Sequence, residues 1–126
     1  MKNAFLMAIG TLLFVLILMP VTVFAQEYPE LGVRVETIAE NLSVPWSIDW
    51  TPDGTVLFTE RDGHLRIIQD GNLLPEPLLS FEVGGKEGGM LGIAVDPDYS
   101  ENNFIYLYFT QDDSSSISNN LVRYQL

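Results

Sequence analysis

One acidic side chain stands inside a run of glycines, where a ligand can approach the backbone closely. The stretch Gly84–Gly89 carries Lys86 and Glu87, and an apolar, strand-like run begins at Met90. Glycine permits positive φ and close contact between its backbone and another group. The stretch lacks the spacing of a phosphate-binding loop, and a strand follows it where such loops need a helix. From this spacing Glu87 is a candidate ligand contact, and the alternative is an acid on a surface loop.

Two other segments carry residues of the types that ligate metals or catalyse reactions. His64, the only histidine, follows Gly63 at the predicted start of a strand, and the chain has no cysteine to share a zinc site with it. Residues 96–102, DPDYSEN, place oxygen atoms at alternate positions, as calcium loops do. An EF-hand needs glycine sixth and glutamate twelfth, where this chain has Glu101 and Leu107. Both segments are predicted to be structural, so no catalytic residue or metal ligand is assigned to this chain.

A repeated layout indicates which elements position these residues. Residues 45–68 and residues 90–126 both follow the order strand, Pro-Asp turn, strand, polar turn, strand. The two Pro-Asp pairs begin at Pro52 and Pro97, 45 residues apart. A period in the forties built from short strands is typical of β-propeller blades. Each unit is therefore predicted to be one blade, with Glu87 just before the innermost strand of the second blade, near the central channel.

Local patterns support these strands. Trp46, Ile48 and Trp50 alternate with polar residues, which is the period-2 pattern of a half-buried strand. Residues 104–109 are apolar at every position, as in a strand that is packed on both faces. The prediction is an all-β chain of about two blades, with no helix after the first 25 residues.

Residues 1–25 are predicted to be a secretory signal peptide rather than part of the fold. A positively charged start precedes a long apolar run, Pro20 interrupts the run, and Ala25 ends a Val-x-Ala cleavage site. The alternative is an uncleaved membrane anchor formed by residues 4–25. In both cases residues 26–126, the predicted partial propeller, are expected to be extracytoplasmic, either secreted or periplasmic.

Composition excludes several classes of partner and site. The 126 residues include 17 acidic and 6 basic ones, giving a net charge of −11, or −12 once Lys2 is removed with the leader. Such a chain repels phosphate backbones, so nucleic acid is not expected as a partner. The lack of cysteine excludes disulfides, zinc-thiolate sites and cysteine nucleophiles. An exported protein of this kind has to obtain its stability from a sizeable core.

An ordered set of short motifs runs through nearly all of residues 33–126. The motifs are Asn41-Leu42-x-x-Pro45-Trp46, Trp50-x-Pro52-Asp53-Gly54, Thr59-Glu60-Arg61-x-Gly63-x-Leu65-Arg66-Ile67-Ile68, Glu87-Gly88-Gly89-Met90-Leu91-Gly92-Ile93-Ala94 and Pro97-Asp98-Tyr99. This set resembles the soluble glucose/sorbosone dehydrogenase family. No single motif is decisive, and the resemblance depends on their order.

The resemblance implies a six-bladed propeller that uses pyrroloquinoline quinone (PQQ) and calcium to oxidise aldose sugars by hydride transfer to PQQ, with an electron acceptor as second partner. In the family, the general-base histidine, the PQQ-binding residues and the calcium ligands lie further along the chain than residue 126. One position carries over, because relatives have a sugar-contacting glutamine where this chain has Glu87. A carboxylate only accepts hydrogen bonds, so the polarity of that contact differs here.

Length sets a further expectation. A closed propeller needs at least four blades of about 40–50 residues, whereas residues 26–126 suffice for about two. The chain is therefore expected to be the N-terminal part of a longer dehydrogenase and to be inactive alone. Two alternatives remain: a non-enzymatic extracellular propeller that binds protein or carbohydrate, and a membrane-anchored two-blade chain that assembles from several copies.

Overall fold

The computed structural model describes residues 26–28, 32–84, 88–113 and 115–126. The predicted signal peptide or anchor, residues 1–25, lies outside this range. The chain divides into two compact units, one ending at Glu36 and one spanning Thr37–Leu126. Within the described ranges, no helix has the length and apolar composition needed to cross a membrane.

The first unit contains a short antiparallel hairpin. Strand β1 (Gln26–Tyr28) pairs with β2 (Val33–Val35). Gly32, directly before β2, has a φ of +62°, a conformation that glycine adopts without steric cost. These two three-residue strands have no counterpart in the predicted repeat.

The second unit begins with a sheet that contains the first predicted blade. Its strands are β3 (Pro45–Trp50), β4 (Val56–Glu60), β5 (His64–Gln69) and β6 (Asn72–Leu73), each antiparallel to the next, and β7 (Leu79–Ser80) pairs with β5. The Asp53 carboxylate closes the β3–β4 turn by accepting a hydrogen bond from the Thr55 backbone N at 3.1 Å. The predicted order of strands and turns is confirmed in this segment.

The second sheet repeats the layout of the first. Strand β9 (Phe104–Asp112) lies between β8 (Met90–Val95) and β10 (Ile117–Gln125), and all pairs are antiparallel. One helical turn, α1 (Tyr99–Asn102), follows the second Pro-Asp pair. The prediction of no helix was wrong at this point, because four residues are too few to carry a helical periodicity.

The hydrophobic core lies between these two sheets. Its most buried side chains, with exposed fractions of 1% or less, are Leu57, Leu65, Met90, Ile105 and Leu107. Alternation along β9 places Ile105, Leu107 and Phe109 on the face toward the first sheet. Fully burying a side chain of this kind contributes about 1.5–3 kcal/mol.

The edges of the two sheets meet through polar atoms. The Val95 backbone N, on β8, donates to Asp49 Oδ2, on β3, at 2.7 Å. Thr59 Oγ1, on β4, donates to the Leu91 carbonyl oxygen at 2.9 Å. An edge strand presents backbone groups that its own sheet leaves unpaired, and polar side chains of the first sheet satisfy some of those of β8.

The apolar face of β3 points away from the second sheet. Trp46, Ile48 and Trp50 are 56%, 45% and 54% exposed. The period-2 pattern predicted for β3 is present, but the polar positions face the neighbouring sheet and the apolar ones face outward. This outward face borders a groove of about 300 Å³, whose lining includes Phe58 and Ile68.

Candidate functional site

A cleft opens beside the turn between β4 and β5, next to the glycine-rich stretch. We call it the head cleft; it has a volume of about 370 Å³ and is lined by Val44, Arg61, Asp62, Val83, Gly84, Gly88 and Gly89. Small-molecule sites in proteins typically occupy roughly 300–1,000 Å³. Glu87, the predicted sugar contact, lies outside the described residues, so that contact stays a prediction, although its neighbour Gly88 lines the cleft.

The glycines of this stretch allow two backbone segments to meet. Gly89 has a φ of +133°, and a Cβ there would overlap the carbonyl oxygen of Arg61. The next residue, Met90, donates its backbone N–H to that same oxygen at 3.1 Å. A Cβ at Gly88 would overlap the carbonyl oxygen of Gly84. The predicted close approach is therefore confirmed, and the group approached is the chain's own backbone.

Glu60 fixes the β4–β5 turn from inside the protein. It is 1% exposed, and its Oε1 accepts a hydrogen bond from the Ser43 backbone N at 2.7 Å. Its Oε2 accepts one from Arg66 Nη1 at 3.1 Å. Arg66 Nη2 also donates to the Leu74 carbonyl oxygen at 3.1 Å. Such a charge-assisted pair holds its partners firmly while it is intact, because either charge alone would be buried without compensation.

Arg61 and Asp62 supply the charged groups of the head cleft. The Asp62 carboxylate accepts a hydrogen bond from Ser43 Oγ at 2.8 Å. The Arg61 backbone N donates to the Val44 carbonyl oxygen at 3.1 Å, and the Arg61 side-chain stem passes over Gly89. The β4–β5 turn is thus tied to the segment before β3 through both backbone and side-chain atoms.

The guanidinium of Arg61 differs from those of the other described arginines in having no partner. Arg34 and Arg66 each form an ion pair, and the guanidinium of Arg123 lies 4.2 Å from the centre of the Phe104 ring. Among the described residues, the guanidinium of Arg61 has no hydrogen bond or ion pair. Its five donor N–H groups are therefore free to meet a ligand or solvent.

The wall of the head cleft also contains a strained residue. Val44 has a φ of +47° and directly precedes Pro45. A β-branched residue rarely adopts this left-handed region, which costs about 1–2 kcal/mol for an L-residue. Strained backbone of this kind clusters at ligand sites, where the surrounding structure holds it in place.

His64 occupies the position predicted for it. It is the first residue of β5, and its Nδ1 lies 3.0 Å from Ser80 Oγ on the paired strand β7. It does not line the head cleft. These contacts agree with the structural interpretation of this residue.

The segment of residues 96–102 forms the predicted turn. Asp96 Oδ1 accepts hydrogen bonds from the Asp98 backbone N at 2.9 Å and from Asn102 Nδ2 at 3.0 Å, and its Oδ2 accepts one from Tyr106 Oη at 2.7 Å. The hydrogen bonds from Asn102 and then Tyr106 lower the pKa of Asp96, while the hydrogen bond to Asp96 raises the pKa of Tyr106. The part of the chain that the structure describes has no group of three or more His, Cys, Asp or Glu side chains placed to hold a metal.

Glu60, Arg61 and Asp62 were not predicted from the sequence to be site residues. A charged run that ends in Asp-Gly is typical of an exposed turn, and nothing in the local pattern shows that Glu60 is buried. The one available signal was their place within the motif of residues 59–68.

The two stacked sheets repeat one strand order, as consecutive blades of a β-propeller do, and they match sheets of sugar dehydrogenase propellers, so the class of protein is the β-propeller. The sequence model of the glucose/sorbosone dehydrogenase family matches residues 42–126, which include both sheets and every residue of the head cleft. The chain belongs to the glucose/sorbosone dehydrogenase family.

Three curated proteins illustrate the similarity. The chain is 33% identical over 88 residues to an uncharacterised protein of Synechocystis, with 62% of this chain and 21% of that protein covered. It is 33% identical over 82 residues to the aldose sugar dehydrogenase YliI of Escherichia coli, with 63% and 22% covered. It is 29% identical over 86 residues to the hedgehog-interacting protein of Mus musculus, with 60% and 12% covered.

Solved structures show the same fold. An oxidoreductase of Thermus thermophilus, described as a glucose dehydrogenase, matches with a TM-score of 0.63 and 31% identity, covering 71% of this chain and 27% of that one. The PQQ-bound aldose sugar dehydrogenase of Streptomyces coelicolor matches with a TM-score of 0.53 and 33% identity, covering 69% and 26%. The chain thus spans about a quarter of the length of these two structures.

Proposed function

We propose that the protein is a PQQ-dependent dehydrogenase that oxidises aldose sugars, and that this chain supplies its first two blades. Membership of the glucose/sorbosone dehydrogenase family over residues 42–126 carries the proposal. The PQQ-bound structure from Streptomyces and the aldose sugar dehydrogenase of Escherichia coli support the choice of cofactor and substrate. Export through residues 1–25, as a signal peptide or an anchor, is part of the same proposal.

The outward face of the first sheet supports the presence of further blades. Trp46, Ile48 and Trp50 form an apolar row that is about half exposed, while the opposite face of the same sheet is covered by the second sheet. Large exposed apolar surfaces mark places where another part of a protein packs. A further sheet stacked on β3 would cover this face.

The described residues do not by themselves form a calcium site, and none of them is assigned to PQQ. They contain no cluster of acidic ligands for calcium, and the buried acid Glu60 is already bound to Ser43 and Arg66. We therefore assign no hydride-transfer step to these residues. Their proposed part is to bind and orient the sugar at the head cleft, with Glu87 accepting a hydrogen bond from a sugar hydroxyl.

The test is a dehydrogenase assay on the full-length protein, produced with its leader and reconstituted with PQQ and calcium. An artificial electron acceptor should be reduced when aldoses are added, and the reduction should stop when PQQ is left out. Removal of calcium with a chelator should abolish the same activity. A folded protein that takes up PQQ but oxidises no sugar in a broad aldose panel would contradict the proposal.

The second candidate is a non-enzymatic extracellular propeller that binds protein or carbohydrate. The similarity to the hedgehog-interacting protein, 29% identical over 86 residues, is the observation that favours it. A folded full-length protein that binds no PQQ, oxidises no aldose and binds a protein or carbohydrate saturably would support this candidate over the dehydrogenase.

A further inference from the structure

We propose that Arg61 and Asp62 form a subsite in the head cleft that binds two neighbouring hydroxyl groups of a neutral sugar. This inference rests on the proposed function, because it names residues of this chain that recognise the aldose. It concerns binding only and assigns neither residue a part in the oxidation.

The two side chains have complementary hydrogen-bonding capacity. A guanidinium only donates and a carboxylate only accepts, whereas a hydroxyl group does both. Two adjacent sugar hydroxyls can therefore accept from Arg61 and donate to Asp62 at the same time. Hydrogen bonds with one charged partner are shorter and roughly twice as strong as those between neutral groups.

Both residues have this capacity available in the structure. Among the described residues, the Arg61 guanidinium has no partner, and Asp62 accepts a side-chain hydrogen bond only from Ser43 Oγ, through Oδ2. The second carboxylate oxygen of Asp62 is left for a donor that the described chain does not supply. Both residues line a cleft of about 370 Å³, within the size range of small-molecule sites.

The charges favour a neutral ligand over an anion. Asp62 stands beside Arg61 in the same wall and would repel a carboxylate or phosphate group. The net charge of the chain, −11, acts in the same direction over longer distances. A neutral polyol gains from both side chains, whereas an anion gains from one and is repelled by the other.

The backbone that carries the subsite is held in place before any ligand binds. The β4–β5 turn is fixed by the buried carboxylate of Glu60 and by the two hydrogen bonds of the Arg61 backbone, to the Val44 carbonyl oxygen and from Met90 N. The Arg61 side chain packs against Gly89 at its Cγ atom. Binding groups held by such supporting contacts lose little freedom when the ligand arrives.

The test measures sugar binding by the full-length protein without PQQ, calcium or an electron acceptor. Isothermal titration calorimetry with D-glucose, D-galactose and D-xylose identifies the sugar that binds most tightly. Arg61→Gln and Asp62→Asn should each weaken that binding about tenfold, which corresponds to about 1.4 kcal/mol. The amide oxygen introduced by Asp62→Asn can still accept from Ser43 Oγ, so this variant removes the charge and leaves the turn intact.

Asp70→Asn is the matched control, because Asp70 also precedes a glycine in a turn of the first sheet but does not line the head cleft. It should leave binding unchanged, and circular dichroism checks that every variant is folded. Arg61→Lys, which keeps the charge but loses the fork of donors, should bind with intermediate affinity and replaces Arg61→Gln if that variant does not fold.

The outcomes separate this inference from the proposed function. Sugar oxidation by the full-length protein, with both variants binding as tightly as the Asp70→Asn control, would overturn the subsite and leave the dehydrogenase intact. Oxidation without any sugar binding in the absence of PQQ would also overturn it, because the subsite as proposed uses Arg61 and Asp62 and needs no cofactor. Weakened binding in both variants supports the subsite, whether or not the dehydrogenase assay succeeds.

Discussion

Replacing Arg66 with methionine removes one partner of the buried ion pair that fixes the β4–β5 turn. The Glu60 side chain is only 2% exposed, so its carboxylate cannot turn to water and would keep a single hydrogen bond, from the Ser43 backbone N. Methionine has a similar length and fills much of the same space, so the change tests the charge more than the volume. The turn that carries Arg61 and Asp62 should become less stable.

The magnitude follows from the burial of the two partners. Leaving one charge of a buried pair uncompensated costs about 3–5 kcal/mol, and we expect Arg66→Met to fall in this range. Glu60→Gln should cost less, about 1–3 kcal/mol, because its amide oxygen can still accept from Ser43 and Arg66 is 15% exposed. The double variant should cost less than the two single changes together by about 1–3 kcal/mol, since it leaves no unpaired charge.

The assay is urea denaturation of the full-length protein at pH 7, followed by far-ultraviolet circular dichroism. Arg34→Met is the control, because Arg34 pairs with Glu36 at 3.3 Å while their side chains are 64% and 55% exposed. An exposed pair of this kind contributes about 1 kcal/mol or less. If Arg66→Met cost no more than Arg34→Met, the buried pair would not be what holds the turn.

Two further predictions concern the second Pro-Asp turn and Gly89, which lines the head cleft. Hydrogen bonds from Asn102 and Tyr106 lower the pKa of Asp96 below its usual value of 3.8, so the stabilisation that they provide is present above that pH and is lost as the pH falls through the pKa of the folded state. Tyr106→Phe removes one of these hydrogen bonds and should therefore reduce the loss of the urea midpoint between about pH 5 and pH 2. Equal losses in the variant and the wild type would contradict the assignment. Gly89→Ala should lower the free energy of unfolding by more than about 1 kcal/mol in the same urea assay, because its Cβ would overlap the Arg61 carbonyl oxygen. Gly54→Ala, also at positive φ but with open space around it, should cost less, and similar losses at both positions would refute the clash.

The repeat could be predicted because local signals and the fold agree. Pro-Asp and Asp-Gly pairs mark the turns, and period-2 alternation marks β3, so strand order follows from short-range chemistry. The sequence could not show which face of β3 packs on the second sheet, because the row of Trp46, Ile48 and Trp50 gives the same alternating pattern in either orientation. The orientation of β3 depends on the position of the second sheet. It becomes clear only from the hydrogen bond that Asp49 accepts from the Val95 backbone N.

The residues of the candidate site could also be predicted from the sequence only in part. The glycines near Glu87 correctly indicated a close backbone approach, since few residues tolerate such crowding. The burial of Glu60 was not predictable, because a glutamate at the end of a strand is usually solvated and its partner Arg66 lies on the next strand. Arg61 and Asp62 become site residues only through the position of the turn, which long-range contacts determine.

The junction between the two sheets is built differently from its two sides. The first sheet contributes side chains, the carboxylate of Asp49 and the hydroxyls of Thr59 and Ser47, whereas β8 contributes backbone atoms, of Val95, Leu91 and Ile93. Every residue except proline has a backbone N–H, and every residue has a carbonyl group. Substitutions on β8 other than to proline therefore keep these hydrogen bonds, while a single change at Asp49 or Thr59 removes one of them. The polar part of the junction is therefore more sensitive to substitutions in the first blade than in the second, whereas its apolar part depends on both, because Met90 of β8 is buried in the core with Leu57 and Leu65.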